Sequence, residues 1–226
     1  MPLIGAVLAL AGLCSSVACG PKSTVTAPQG FAPLDPVNQA VLPAATAGDT
    51  YPEKINTVQG HDTTTGYDWA DGEGYVQAPI AAVWSALQND SVLANRRELS
   101  SWMVTKTNVY PTADMSFLLT CVTAEDSLQF IIEWREAATV GTPKAPQTVI
   151  VRGDLDQSAM IFGTNVMTVL SDSIVLTEVN AQTTAYAAIR HRGPDAGSSP
   201  AACAQFITDV YSSALAVLHN QPLPTY

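Results

Sequence analysis

Gly74-Tyr75-Val76-Gln77-Ala78-Pro79-Ile80-Ala81-Ala82-Val83-Trp84-Ser85-Ala86-Leu87 runs from a strand straight into a helix. Residues 73–77 are short and β-prone. Pro79 then stands at the first helical position, where its missing N–H is no loss because that donor has no partner inside the helix. Ile80, Val83, Trp84 and Leu87 recur at helical spacing and predict one buried face. Asn89-Asp90 ends this helix, and residues 91–97 predict a second, shorter one.

Downstream the period changes from helical to two. Residues 102–110, 115–122 and 127–136 read as strands, separated by Pro111-Thr112-Ala113-Asp114 and Ala124-Glu125-Asp126. In the third, Leu128, Phe130, Ile132 and Trp134 share one face and Gln129, Glu133 and Arg135 the other, with Ile131 the exception. Such alternation predicts an antiparallel sheet wet on one side. Further strands are expected at 147–153, within 160–179 (as one bent strand or two) and at 183–192, the last after a turn at Asn180-Ala181-Gln182. The chain closes on a helix. Ser199 is a good N-cap and Pro200 a good first residue. Cys203, Phe206, Ile207, Val210, Ala214, Val217 and Leu218 mark its apolar face, and Pro222 and Pro224 end it.

Strand, two short helices, a run of antiparallel strands and a long closing helix form a specific order. With the 74–87 stretch, whose "apolar-Pro-x-x-x-Val-Trp-x-x-Leu" pattern is the most specific part, the chain resembles the SRPBCC superfamily. Its members share the helix-grip fold of START-like lipid-transfer domains, plant pathogenesis-related allergens and polyketide cyclases. The resemblance covers residues from about 70 to 220. It implies an α+β fold, a curved antiparallel sheet wrapped around a long C-terminal helix, with an elongated apolar cavity between them. Ligand-pocket candidates on that reading are Phe117, Leu119, Phe130, Ile132, Trp134, Val149 and Val151 from the sheet, and Phe206, Val210 and Ala214 from the helix. The competing reading is that these side chains pack on one another as a solid core. Ala185, Ala187 and Ala188, near Ala201 and Ala204, either leave space or let helix and sheet approach closely.

Working back toward the N-terminus, residues 53–72 are polar, rich in Thr, Asp and Gly, and read as a leader. Before them, residues 20–52 hold six prolines among Ala, Thr and Gly, a composition that resists folding and suits a flexible spacer. Short apolar pieces such as Val41-Leu42 could latch onto the domain. Residues 3–19 carry no charge, and Ser16-Val17-Ala18-Cys19-Gly20 puts small residues at the −3 and −1 positions of a cleavage point followed by cysteine. This resembles the bacterial lipoprotein signal, which implies lipidation of Cys19 and membrane contact through that N-terminal anchor only. It departs from the pattern in having Ser16 at −3 and no Lys or Arg before the apolar run. Simple cleavage after Ala18, giving a secreted protein, and a retained membrane helix are the alternatives. The expected organisation is thus a signal peptide at 1–18, a tether and leader at 19–72, and the domain at 73–221, in the bacterial cell envelope.

The chain has 226 residues, 20 acidic against 10 basic, for a net charge of −10, and only 13% charged side chains. An acidic chain with no basic stripe argues against nucleic acid as a partner and against electrostatic docking on anionic lipid. His61, His191 and His219 are scattered with no metal-ligand spacing, so no metal site is expected. Asp154 and Asp156 flank Leu155 in what reads as a turn. Glu133, Arg135, Arg152, Glu178 and Arg190 lie in strands and read as surface cross-strand pairs. No P-loop, nucleophile elbow or dinucleotide fingerprint is present, so neither a cofactor nor a catalytic residue is expected. Cys121 and Cys203 are a possible disulfide in an oxidising compartment; closing a loop of that size stabilises by about 4 kcal/mol in the chain-entropy model. Both also sit at core-facing positions, where a thiol serves as a small hydrophobe.

Three functions remain open on these residues. The first is a lipid-anchored, non-catalytic envelope domain that binds or carries a hydrophobic small molecule or lipid. The second is a cyclase-like or hydrolase-like enzyme of the same fold. The third is an interaction module with a solid core.

Overall fold

The structure, a computed structural model, describes residues 33–226 apart from 112, 126–127, 141–147, 159, 162–163, 166–168 and 195–196. Two strands open it, β1 (Ile55–His61) and β2 (Asp68–Val76). The helices α1 (Ile80–Leu87) and α2 (Asp90–Ala94) follow. Then come β3 (Leu99–Thr107), β4 (Met115–Glu125), β5 (Leu128–Val140) and β6 (Thr148–Ser158). After the small β7 (Met160–Ile161) and β8 (Thr164–Asn165), the chain ends with β9 (Val169–Asn180), β10 (Thr183–Gly193) and α3 (Pro200–Leu218). Eight strands form one antiparallel sheet in the order β1-β2-β10-β9-β6-β5-β4-β3, while β7 and β8 pair with each other.

The expected order of elements is present, with corrections. The sheet begins at Ile55, not at residue 73. Residues 55–76 are a hairpin, and the Thr, Asp and Gly that suggest a leader are its turn. Asp62 accepts the Thr64 N–H at 2.8 Å, which holds its carboxyl below the ordinary range, and Gly66 takes φ +75°. The expected short helix at 91–97 is α2, one turn capped by the Asn89 side chain on the Ser91 N–H. The doubtful stretch 160–179 divides into the β7–β8 hairpin and the long β9. Asp154 and Asp156 belong to β6, not to a turn; Asp154 pairs in register with Arg135 on one side and Ser171 on the other.

The inner face of the sheet carries α3. The helix begins at the Ser199 hydroxyl, which accepts the Ala202 N–H at 3.1 Å, with Pro200 as its first residue. Its close backbone approaches to the sheet are to β1, β2 and β10. Gly72 on β2 makes this approach possible, since a Cβ there would stand 2.6 Å from the Ile207 methyl. Val83, Leu87, Ile207 and Val210 are fully buried together with the inner residues of β4, β9 and β10. Burying one such side chain contributes roughly 1.5–3 kcal/mol relative to leaving it exposed.

The outer face is covered over β2, β9 and β10. Residues 33–43 form a strap and not a free spacer: the Leu34 N–H donates to Ser173 Oγ at 3.0 Å and the Asn38 N–H to Asp71 Oδ2 at 2.9 Å. The apolar latch is Ala40 and Pro43, which are buried, while Val41 is 76% exposed. Residues 1–32, Cys19 among them, lie outside the described residues.

Candidate functional site

Period two along β9 and β10 decides what faces α3. On β10 the inner side chains are Tyr186, Ala188, Arg190 and Arg192, and on β9 Leu170, Asp172, Ile174 and Leu176; all are buried. Two arginines and an aspartate therefore stand in an apolar wall. The turn between α2 and β3 brings Arg96, also buried, and Glu98 to the same place.

Glu98 organises the cluster. Its Oε1 accepts Arg190 Nη2 at 2.8 Å and lies 3.5 Å from Arg96 Nη1, and its Oε2 accepts Arg192 Nη1 at 3.0 Å. Arg190 reaches Asp172 Oδ2 at 3.4 Å. Gly153 on β6 leaves room for that carboxylate, for a Cβ there would lie 2.6 Å from Asp172 Oδ1. The Phe206 ring of α3 closes the cluster, with the Arg190 guanidinium 3.7 Å and that of Arg96 4.9 Å from its centroid. Burial pushes the Glu98 carboxyl up, but the three guanidiniums outweigh it and hold the group below its ordinary range. Burial likewise lowers Arg190, against the pull of Glu98. Burial and nearby Asp172 raise the Tyr186 phenol, whose hydroxyl has no hydrogen-bond partner among the described residues.

Of the expected lining, Phe117 and Leu119 lie on the inner face of β4, and Phe206, Val210 and Ala214 face them from α3 in the same buried cluster. Phe130, Ile132 and Trp134 stand on β5 and Val149 and Val151 on β6; register sets Ile132 opposite Cys121, Trp134 opposite Leu119, Val149 opposite Leu176 and Val151 opposite Ile174. Their side chains lie outside the described residues, as do those of Glu133, Arg135 and Arg152. Arg190 is corrected from a surface residue to a fully buried one. Ala201 is exposed on the far side of α3, and Ala185 and Ala187 face the outer side of the sheet; only Ala188 and Ala204 permit close helix–sheet packing.

Cys121 and Cys203 are both buried thiols, and no disulfide joins them. Cys121 takes the Arg96 guanidinium at 3.8 Å, whereas Cys203 sits on α3 where burial pushes its thiol up to about 11. His61 pairs with Asp68 at 2.8 Å, His219 with Glu53 at 2.8 Å, and His191 stacks on Tyr67. Among the described residues no three His, Cys, Asp or Glu converge as a metal site.

Sequence reading missed Arg192, Arg96, Glu98 and Asp172. A signal was there for two of them: Arg190 and Arg192 share the parity of Tyr186 and Ala188, so all four must face one way. Arg96 and Glu98 come from a turn and carried none.

The architecture is a START-like helix-grip fold. Among solved structures with it, the STAR-related lipid transfer protein of Xanthomonas axonopodis superposes with a TM-score of 0.52 at 13% identity, covering 75% of this chain and 93% of that one. Human STARD10 gives 0.51 at 9% identity, covering 74% and 72%, and human StAR-related lipid transfer protein 5 gives 0.50 at 10% identity, covering 74% and 86%. No family model matches the chain, nor does any curated protein.

Proposed function

We propose that this protein binds a hydrophobic small molecule between the inner face of the sheet and α3, with the molecule's oxygen-bearing end at the arginine cluster, and carries it without chemical change. One observation carries the reading: Arg96, Arg190 and Arg192 meet around Glu98, with Asp172 against Arg190, beside Phe206 in a wall that is mostly apolar. Removing such charges from water costs several kcal/mol per ion, and well-packed apolar residues would hold a core at least as well. A guanidinium cluster in an apolar wall suits an amphiphile, since a few placed donors orient a ligand that apolar surface binds. The close backbone approaches of α3 are to β1, β2 and β10, so a ligand would lie toward β4, β5 and β6. Two solved structures of this fold bear lipid-transfer names, which supports an apolar ligand. The N-terminal pattern at Cys19 supports a lipid-anchored place in the bacterial envelope, with residues 20–32 as the spacer.

Organic extraction of the purified full chain followed by mass spectrometry tests the ligand. A stoichiometric apolar molecule with a polar end is expected; a ligand-free protein that takes up no amphiphile contradicts the reading. The anchor has its own test: Cys19→Ala should move the protein from the membrane fraction to the soluble one, and unchanged fractionation would refute it.

A further inference from the structure

We infer that the outer face of the sheet holds a second, separate site, which binds a small organic cation with an apolar body. A cavity of about 210 Å³ lies there between the strap and strands β2, β10 and β9. Leu34, Val175, Ala187 and Ile189 wall it, and Asp71 and Glu73 stand at it from β2. The volume is far above the roughly 10–15 Å³ that one water needs and below the ~300 Å³ at which drug-sized pockets begin, so the occupant is small.

Asp71 supplies the polar end. The residue is 2% exposed; its Oδ2 accepts the Asn38 N–H, the Val37 N–H also acts on the carboxylate, and its buried Oδ1 has no hydrogen-bond partner among the described residues. A buried carboxylate oxygen without a donor is costly, and an ammonium would supply both the donor and the opposite charge. Glu73, two residues along the same face, accepts the Gln39 amide at 3.3 Å. Among the described residues neither carboxylate has an ion-pair partner, and the other polar side chains at the cavity are neutral: Gln39, whose amide is on Glu73, and Ser173, whose hydroxyl accepts the Leu34 N–H. Burial raises the carboxyls of Asp71 and Glu73, and Asp71 raises Glu73 further, as expected for acids held without a counter-ion. This cavity lies across the sheet from the arginine cluster, so its failure would leave the inner-face proposal standing.

Two-dimensional NMR of the full chain with benzylammonium as the probe, and benzyl alcohol as its neutral counterpart, tests the inference. Benzylammonium should shift the Ser173 and Ala187 amides saturably, and benzyl alcohol should bind about tenfold more weakly or worse, the effect of about 1.4 kcal/mol. Asp71→Asn keeps an oxygen for the Asn38 N–H but removes the charge, and should weaken binding to a similar degree. Ala187→Leu fills the cavity and should abolish binding even if Asp71→Asn does not fold. No saturable shift in the natural chain, equal binding of the alcohol, or unchanged binding in both variants would overturn it.

Discussion

The same sheet buries charge on both faces, by opposite means. Inside, under α3, a carboxylate sits among three guanidiniums and is held below its ordinary range. Outside, under the strap, two carboxylates sit with backbone and side-chain amides and are pushed above theirs. The covers differ to match. A nineteen-residue helix closes the inner face through Gly72, whereas the outer face is closed by an irregular segment held by hydrogen bonds at Leu34 and Asn38. The inner charges balance one another in place, and the outer ones stand without an ion-pair partner among the described residues. Ionisable groups shifted in either direction gather at binding sites.

The largest expected effect comes from breaking the inner set. Glu98→Ala leaves three buried guanidiniums without their shared carboxylate and should destabilise by about 3–5 kcal/mol in denaturant unfolding. Next is the inner cover itself. Gly72→Ala drives a methyl into Ile207, an overpacking that should cost about 1–3 kcal/mol by the same measurement. The outer cover is weaker: Ser173→Ala removes the acceptor of the Leu34 N–H and should cost only about 1 kcal/mol, with faster amide exchange at Leu34 as its local sign.

The smallest effect separates the faces by sign. Glu98, lowered in the folded state, contributes stability above its ordinary value of 4.5 that is lost as pH falls through the folded one. Asp71 and Glu73 are raised above 3.8 and 4.5, so they favour the fold when protonated and weaken it as pH rises through their folded values. Asp71→Asn with Glu73→Gln should therefore be more stable than the natural chain at neutral pH, with the difference vanishing in acid. A difference that instead grows as pH falls would contradict the contrast.

The sequence made the inner cover more legible than the outer one or the charges. The 74–87 stretch announces the strand-to-helix entry because Pro79 and the Ile80-Val83-Trp84-Leu87 spacing agree, and Ser199-Pro200 announces α3 equally well. Hairpin β1–β2 was hidden because Gly60, Gly72 and Gly74 dilute its apolar pattern; the glycine at 72 is needed for helix approach, not for flexibility. Arg190 reads as wet because charge is normally outside; only the parity that it and Arg192 share with Tyr186 places both inward. The strap's acid site depends on residues 34 to 73 meeting β9 and β10, a juxtaposition no local pattern encodes.

Equilibrium titration of the full chain with oleate, against oleyl alcohol as the uncharged reference, tests the central claim most directly. The inner arginine cluster predicts saturable binding of oleate at a single site and weaker binding of the alcohol. Absence of saturable binding by either, in a correctly folded protein, would show that the inner face is filled by its own side chains and would contradict the proposed function.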